Sequence, residues 1–164
     1  MKTKKVAMLG LTIALAMIMS YIEALVPLSF AVPGIKMGLA NIVIIFLLYR
    51  FGMKEAILVS IIRVILVSLL FSNVMAMWYS LAGAVLSLSV MWVLKKIDKF
   101  SVIGVSVAGG IMHNVGQIIM AVILLGTEQI ALYLPVLIIT GTATGVIIGI
   151  VSGLVINRFK SIRL

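Results

Sequence analysis

The sequence predicts an all-α integral membrane protein, a bundle of six transmembrane helices in a single domain over residues 1–164. Hydrophobic residues make up 64% of the chain and charged residues only 10%, against about 25% charged residues in soluble domains. The mean hydropathy is +1.37, and five of six apolar runs are of the length expected for membrane spans. Short basic clusters separate these runs on one side of the membrane only. A water-soluble fold is therefore excluded.

The apolar runs give the bounds of the predicted spans. They cover residues 6–26, 36–50, 54–73, 76–94, 102–125 and 132–156. The first run is too long for the apolar part of a signal peptide, and no convincing cleavage site precedes Pro27. The second run is short and starts after the turn signal Pro33-Gly34, so we expect it to enter the membrane obliquely or from a partly buried loop.

The basic residues predict the orientation of the bundle. With the N-terminus inside, eleven of the thirteen basic residues fall in cytoplasmic segments. These are Lys2, Lys4, Lys5, Arg50, Lys54, Lys95, Lys96, Lys99, Arg158, Lys160 and Arg163. Lys36 falls outside, and Arg63 lies within the third span. The asymmetry predicts a multi-pass protein of a bacterial-type plasma membrane with both termini in the cytoplasm.

The composition also argues against several functions. The net charge of +9 does not indicate a nucleic-acid partner, because the basic residues form short clusters between apolar runs rather than a basic helix face. The chain has no cysteine and no GxxxxGK[ST] loop, which argues against disulfides, thiolate metal sites and that mode of ATP binding. Asp98 is the only aspartate, so the carboxylate clusters that hold magnesium in prenyl diphosphate chemistry are missing. We expect no cofactor, no metal and no self-contained catalytic site.

Arg63, near the middle of the third span, is the most costly residue in the predicted hydrocarbon layer. An arginine at that depth costs about 2.5–3.5 kcal/mol on insertion scales, so it should face the bundle interior and find a partner. Glu23, near the outer end of the first span, is the one acidic residue able to reach it. Two interpretations of these residues remain. Arg63 and Glu23 either bind an anionic or polar ligand, or form a purely structural ion pair.

The fifth span carries a polar face. Ser106, Gly110, His113 and Gln117 are spaced by four, three and four residues, with Asn114 at the edge of the same face. A lone histidine offers too few ligands for a metal, and it either lines a cavity or bonds a neighbouring helix. Several polar groups on one face favour the cavity. The predicted substrate-binding residues, all at the middle or outer level, are Glu23, Asn41, Arg63, Tyr79, His113, Asn114 and Gln117.

The first span has two different faces. Ala7, Gly10 and Ala14 lie within about 60° of each other at about 100° per residue, and Ser20 and Glu23 lie on roughly the opposite side. If the Glu23 side faces the interior, the small residues face outward and can dock a different subunit. Packing against a helix of the same chain is the alternative.

Glycines and other small residues recur on two later spans. The stripes consist of Gly141, Gly145, Gly149 and Gly153 on the sixth span and of Ala76, Ser80, Gly83 and Ser87 on the fourth. Stripes of this kind let two helices approach closely. They predict close packing and say little about function.

Five short segments, in order along the chain, resemble a known family, and the resemblance extends over nearly the whole chain. They are Tyr21-Ile-Glu-Ala-Leu-Val-Pro27, Pro33-Gly-Ile-Lys-Met-Gly-Leu-Ala-Asn41, Arg63-Val-Ile-Leu, Tyr79-Ser-Leu-Ala-Gly83 and His113-Asn-Val-Gly-Gln117. The family is that of the small membrane proteins called Gx transporter or heptaprenyl diphosphate synthase component I. It is similar in turn to the substrate-binding S components of energy-coupling-factor (ECF) transporters.

The resemblance implies a fold, a site and partners. An S component has six helices, a pocket on the extracellular side, and an alanine-rich stripe on its first helix that docks a transmembrane coupling subunit working with ATPases. By resemblance, the docking stripe of this chain would be Ala7, Gly10 and Ala14. The leading hypothesis is therefore a subunit that captures a small molecule for uptake. The alternative is an accessory protein of isoprenoid or prenyl-quinone synthesis, or of extracellular redox, without transport; a structural scaffold is a third possibility.

Overall fold

The computed structural model describes residues 2–25 and 38–160, and this part of the chain contains six α-helices with one short 3-10 helix before the last. The α-helices are α1 (Lys2–Leu25), α2 (Asn41–Arg50), α3 (Met53–Phe71), α4 (Val74–Ile97), α5 (Val102–Leu125) and α6 (Leu134–Arg158), and the 3-10 helix covers Glu128–Tyr133. The predicted all-α class is thereby confirmed. Pro27, Pro33-Gly34, Lys36 and Arg163 lie outside the described residues.

Local sequence signals explain where the later helices begin and end. The Asn73 side chain accepts a hydrogen bond from the backbone N–H of Ala76 at 2.8 Å at the start of α4. Ser101 accepts one from Gly104 at 3.1 Å at the start of α5. Gly126, with a φ of +63°, ends α5 in the left-handed conformation that glycine adopts without strain. These signals fix the start of α4 and both ends of α5.

Four helical segments are long and apolar enough to cross a membrane by length and composition. They cover Thr3–Glu23, Val74–Ile97, Val102–Leu125 and Glu128–Arg158. α2 has 10 residues, which is about 15 Å of helix against a hydrocarbon core of about 30 Å. α3 carries three charged residues, Lys54, Glu55 and Arg63. Six helices are therefore present in the described residues, of which four have the length and composition of spans by themselves.

The arrangement of the helices is a ring with one helix outside it. α2, α3, α4, α5 and α6 each pack against the next, and α6 packs back against α2. α1 lies against α3 and α2, with most of its surface exposed. α2 is the centre of the core, because residues 43–48 are all buried, as expected for a helix that is apolar all round. Large apolar side chains cover the outer surface of the bundle, which suits a lipid environment.

The glycines of α6 bring it against the backbone of α5. A methyl group at Gly145 would lie 2.7 Å from the Cα of Val107, and one at Gly149 would lie 2.7 Å from the Cα of Ile103. At Gly141 it would lie 2.7 Å from the side-chain nitrogen of Asn114. Gly153 differs from the rest of its predicted stripe. Nothing lies within 4 Å of a methyl group built there, so the close approach ends one turn earlier.

Two contacts tie the helices together at the predicted cytoplasmic end. Lys5 of α1 forms an ion pair with Glu55 of α3. Lys95 of α4 donates to the carbonyl oxygen of Leu48 at 2.6 Å, and its ammonium lies 5.2 Å from the ring centre of Tyr49. Since the last carbonyl groups of a helix have no partner within the helix, Lys95 stabilises the C-terminal end of the short α2.

Candidate ligand-binding site

A cavity of about 210 Å³ lies inside the bundle and receives residues from all six α-helices. Its polar lining consists of Ser20, Glu23, Asn41, Arg63, Ser68, Ser72, Ser80, Ser106, His113, Asn114 and Thr144. The apolar part includes Ile45, Val64, Met91 and Ile148. The cavity reaches Gly38 and Ser72, which lie at the end of the bundle where α2 begins and α3 ends. This is the end that the loop charges predict to be outside.

Arg63 places a positive charge in the cavity wall. It lies midway along α3, and its Nη1 donates to the Ser20 hydroxyl at 3.3 Å. Its Nε is buried and has no hydrogen-bond partner among the described residues. A buried donor without a partner is costly, and a cationic donor most of all. The guanidinium is therefore equipped to donate to a molecule inside the cavity.

Glu23 places a carboxylate near this arginine. It acts electrostatically on Arg63, and its Oε1 accepts a hydrogen bond from the backbone N–H of Gly38 at 2.5 Å. Gly38, with a φ of +72°, forms the turn that leads into α2. Glu23 therefore serves two purposes: it offsets part of the charge of Arg63, and it fixes the rim of the cavity between α1 and α2.

α5 and α6 form the wall of the cavity away from Glu23 and Arg63. His113 and Asn114 both border the cavity, and the Asn114 side-chain nitrogen donates to the carbonyl oxygen of Leu137 at 2.7 Å. This bond links α5 to α6 beside Gly110 and Gly141, where the two backbones are in close contact. The amide group of Asn114 is thus held in place by α6, while its oxygen keeps acceptor capacity.

Five of the seven residues predicted for the site come together around the cavity: Glu23, Asn41, Arg63, His113 and Asn114. Tyr79 and Gln117 are not part of the lining. Ser80 takes the place expected for Tyr79. Gln117 packs towards α4 instead, where a methyl group at Gly83 would lie 3.0 Å from its Cγ.

Several hydroxyl groups that were not predicted for the site also line the cavity, among them those of Ser20, Ser106 and Thr144. Ser20 lies three residues before Glu23 and hence on the same helix face, so the sequence already indicates that it belongs beside Glu23. Ser106 belongs to the predicted polar face of α5 but was not included in the site. Thr144 lies between two glycines of α6 and has no distinctive pattern in the sequence.

The two predicted faces of α1 are separated as expected. Ala7, Gly10 and Ala14 are exposed, and no atom lies within 4 Å of a methyl group built at Gly10. Ala16 and Ser20, on the other side, are buried against the bundle. The small-residue stripe therefore packs against no other residue of the described ranges 2–25 and 38–160. Its role in docking another subunit stays a prediction.

Comparison with known proteins gives one match. The model of the family described as heptaprenyl diphosphate synthase component I matches residues 12–155. No curated protein and no solved structure matches the chain. A likeness to S components of ECF transporters is therefore not shown by these comparisons.

Proposed function

Since this chain belongs to the heptaprenyl diphosphate synthase component I family, we propose that it is a membrane-embedded subunit that binds a small anionic molecule between its helices. The observation that carries the proposal is Arg63, a cation in the interior of the bundle with a buried Nε that no described residue satisfies. Residues of this kind within membrane helices are functional in most cases, because their cost is otherwise selected against.

The volume of the cavity limits what can bind. At about 210 Å³ it is smaller than the sites that take drug-sized molecules. Those sites measure about 300–1,000 Å³. A whole heptaprenyl chain does not fit, so the proposed ligand is a small molecule and not the long product after which the family is named.

The family description favours one use of the bound molecule. In this role the chain is an accessory membrane subunit in prenyl diphosphate synthesis, with a catalytic partner that supplies the carboxylates and magnesium. This chain has a single aspartate and so lacks the carboxylate cluster that would hold magnesium, which is consistent with a non-catalytic role for it. The bound anion would then be a short precursor or an effector of the partner enzyme.

The position of the cavity favours a second use. Its rim at Gly38 and Ser72 lies at the end of the bundle predicted to face outward. A site open on that side suits a subunit that captures a small molecule for uptake, with energy from partner ATPases. The exposed stripe of Ala7, Gly10 and Ala14 would then contact the coupling subunit.

Native mass spectrometry of the protein purified in mild detergent tests the binding function. We expect a small molecule retained by the wild type and by Arg158→Ala, a control at an exposed arginine away from the cavity. Arg63→Ala should weaken its binding about 10- to 100-fold, since hydrogen bonds to charged groups contribute about 1.5–3 kcal/mol. Full retention by both Arg63→Ala and His113→Ala, with the fold intact, would exclude the site.

Co-purification separates the two uses. A soluble prenyl synthase that binds the chain and is activated by it supports the role in synthesis. A coupling subunit with two ATPases supports uptake. Ala14→Leu, which adds bulk to the exposed stripe without touching the cavity, should disrupt the second complex only.

A further inference from the structure

Ser106 carries a buried hydroxyl group in the part of the cavity that lies away from the rim at Gly38 and Ser72. The residue is 3% exposed, it lines the cavity, and its Oγ has no hydrogen-bond partner among the described residues. Buried polar atoms are nearly always paired, so an unpaired one that faces an internal cavity points to a ligand or an ordered water.

Other hydroxyl groups of the bundle differ from that of Ser106 because they donate hydrogen bonds within their own helix. A serine or threonine within a helix commonly donates to a carbonyl one turn earlier. Thr142 does so to Ile138 at 2.8 Å, and Ser89 does so to Val85 at 2.8 Å. Ser106 lies in the second turn of α5, where the same bond is available to it, yet its hydroxyl does not make one. Its hydrogen-bonding capacity is therefore unused by the described residues, in a residue that lines the cavity.

Ser106 and His113 border the same cavity at two different levels of α5. Ser106 and His113 are seven residues apart on α5 and on the same face, which separates their backbones by about 10 Å along the helix axis. Gly109 and Gly110 lie between them, and both line the cavity. A methyl group at Gly109 would lie 2.5 Å from the Sδ of Met91. One at Gly110 would lie 2.8 Å from the carbonyl oxygen of Gly141. The two glycines thus pack tightly against α4 and α6 and place no side chain of their own in the cavity between Ser106 and His113.

We infer that the molecule bound by this protein is elongated, with an anionic group near Arg63 and a second hydrogen-bonding group that reaches Ser106. The inference rests on the proposed binding function and narrows the class of ligand. The apolar side chains of Ile45, Val64 and Ile148, which also border the cavity, suit a thin hydrocarbon segment between the two polar ends. Ser106 is thus a residue that determines specificity by the length of the ligand.

A pair of probes tests this arrangement directly. Octyl phosphate and its ω-hydroxy analogue share the anionic end, and the extended chain separates the phosphate from the hydroxyl group by about 10 Å, close to the distance between Ser106 and His113 along α5. Their affinities are measured by titration calorimetry on the full-length protein in detergent. The wild type should favour the hydroxylated probe about 3- to 10-fold, as expected for one additional neutral hydrogen bond.

Ser152 provides a matched control. It is also fully buried, with an Oγ that has no partner among the described residues, but it lies on α6 outside the cavity lining. Ser106→Ala should abolish the preference between the two probes, while Ser152→Ala and Ser106→Thr should keep it. Circular dichroism and size-exclusion chromatography confirm that each variant is folded before the ratio is measured.

The outcomes separate the inference from the function on which it rests. Equal affinity of the wild type for both probes, or an unchanged preference in Ser106→Ala, overturns the elongated ligand but leaves anion binding intact if Arg63→Ala weakens both probes. If the wild type binds neither probe, or Arg63→Ala binds both as well as the wild type, then the proposed function itself fails.

Discussion

Replacement of Gly145 by alanine should destabilise the bundle, although alanine is the better helix former. The added methyl carbon would lie 2.7 Å from the Cα of Val107 and 3.2 Å from the carbonyl oxygen of Ser106. Ordinary contacts begin at about 3.4 Å, so α5 and α6 would have to move apart by roughly 0.7 Å at this level. Both neighbours are backbone atoms, which cannot rotate away. Overpacking of this kind costs about 1–3 kcal/mol.

Gly153→Ala is the control for this prediction, because it makes the same chemical change two turns later in the same helix. No atom lies within 4 Å of its methyl group, so only the helix propensity changes. Replacement of an unpacked helical glycine by alanine stabilises by about 0.5–1 kcal/mol. The two variants should therefore change the free energy of unfolding in opposite directions.

Thermal unfolding in detergent, followed by intrinsic tryptophan fluorescence, measures both variants against the wild type. The Gly145→Ala midpoint should fall and the Gly153→Ala midpoint should stay equal or rise. Because Gly145 also lines the cavity, binding of the octyl phosphate probe should weaken in Gly145→Ala only. A Gly145→Ala protein as stable as the wild type would show that the α5–α6 contact tolerates the methyl group, and the argument from close packing would be wrong.

Three further predictions concern the ends of the helices. Lys95→Met should lower the free energy of unfolding by about 1 kcal/mol in a chemical denaturation series, because it removes a 2.6 Å hydrogen bond to the end of α2. Lys5→Ala should cost less than about 1 kcal/mol, and the difference from the wild type should vanish in high salt, because the pair with Glu55 is partly exposed. Since the chain has no cysteine, Lys99→Cys and Thr127→Cys can each be labelled alone with an impermeant maleimide on intact cells. Labelling of Thr127→Cys and protection of Lys99→Cys is expected, and the reverse pattern would invert the predicted orientation.

The sequence was sufficient to predict the helices and much of the cavity, because the cost of polar groups in hydrocarbon is a strong constraint. Arg63 and the polar face of α5 could be placed inward for that reason alone. The two faces of α1 follow from residue spacing at 3.6 residues per turn. These conclusions needed no knowledge of which helix packs against which.

The two predicted residues that do not line the cavity depend on contacts between helices. Tyr79 and Ser80 differ by about 100° around α4, so only one of them can face the cavity, and the choice depends on the rotation of α4 against its neighbours. Gln117 lies on the same stripe as His113 but one turn further out. There Gly83 and Gly116 bring α4 and α5 into contact, and the cavity is closed. A stripe of small residues predicts a close approach, but a single sequence does not say which helix approaches it.

The enclosed position of α2 has a consequence for how the protein is made. The helix precedes α6 by more than 80 residues in the chain and is too short to cross the bilayer unaided. Its six consecutive buried side chains, Val43–Leu48, are surrounded only when α6 has been made. Insertion into the membrane therefore cannot proceed strictly helix by helix. We expect the first half of the chain to remain sensitive to proteolysis and dependent on membrane insertases until synthesis is complete.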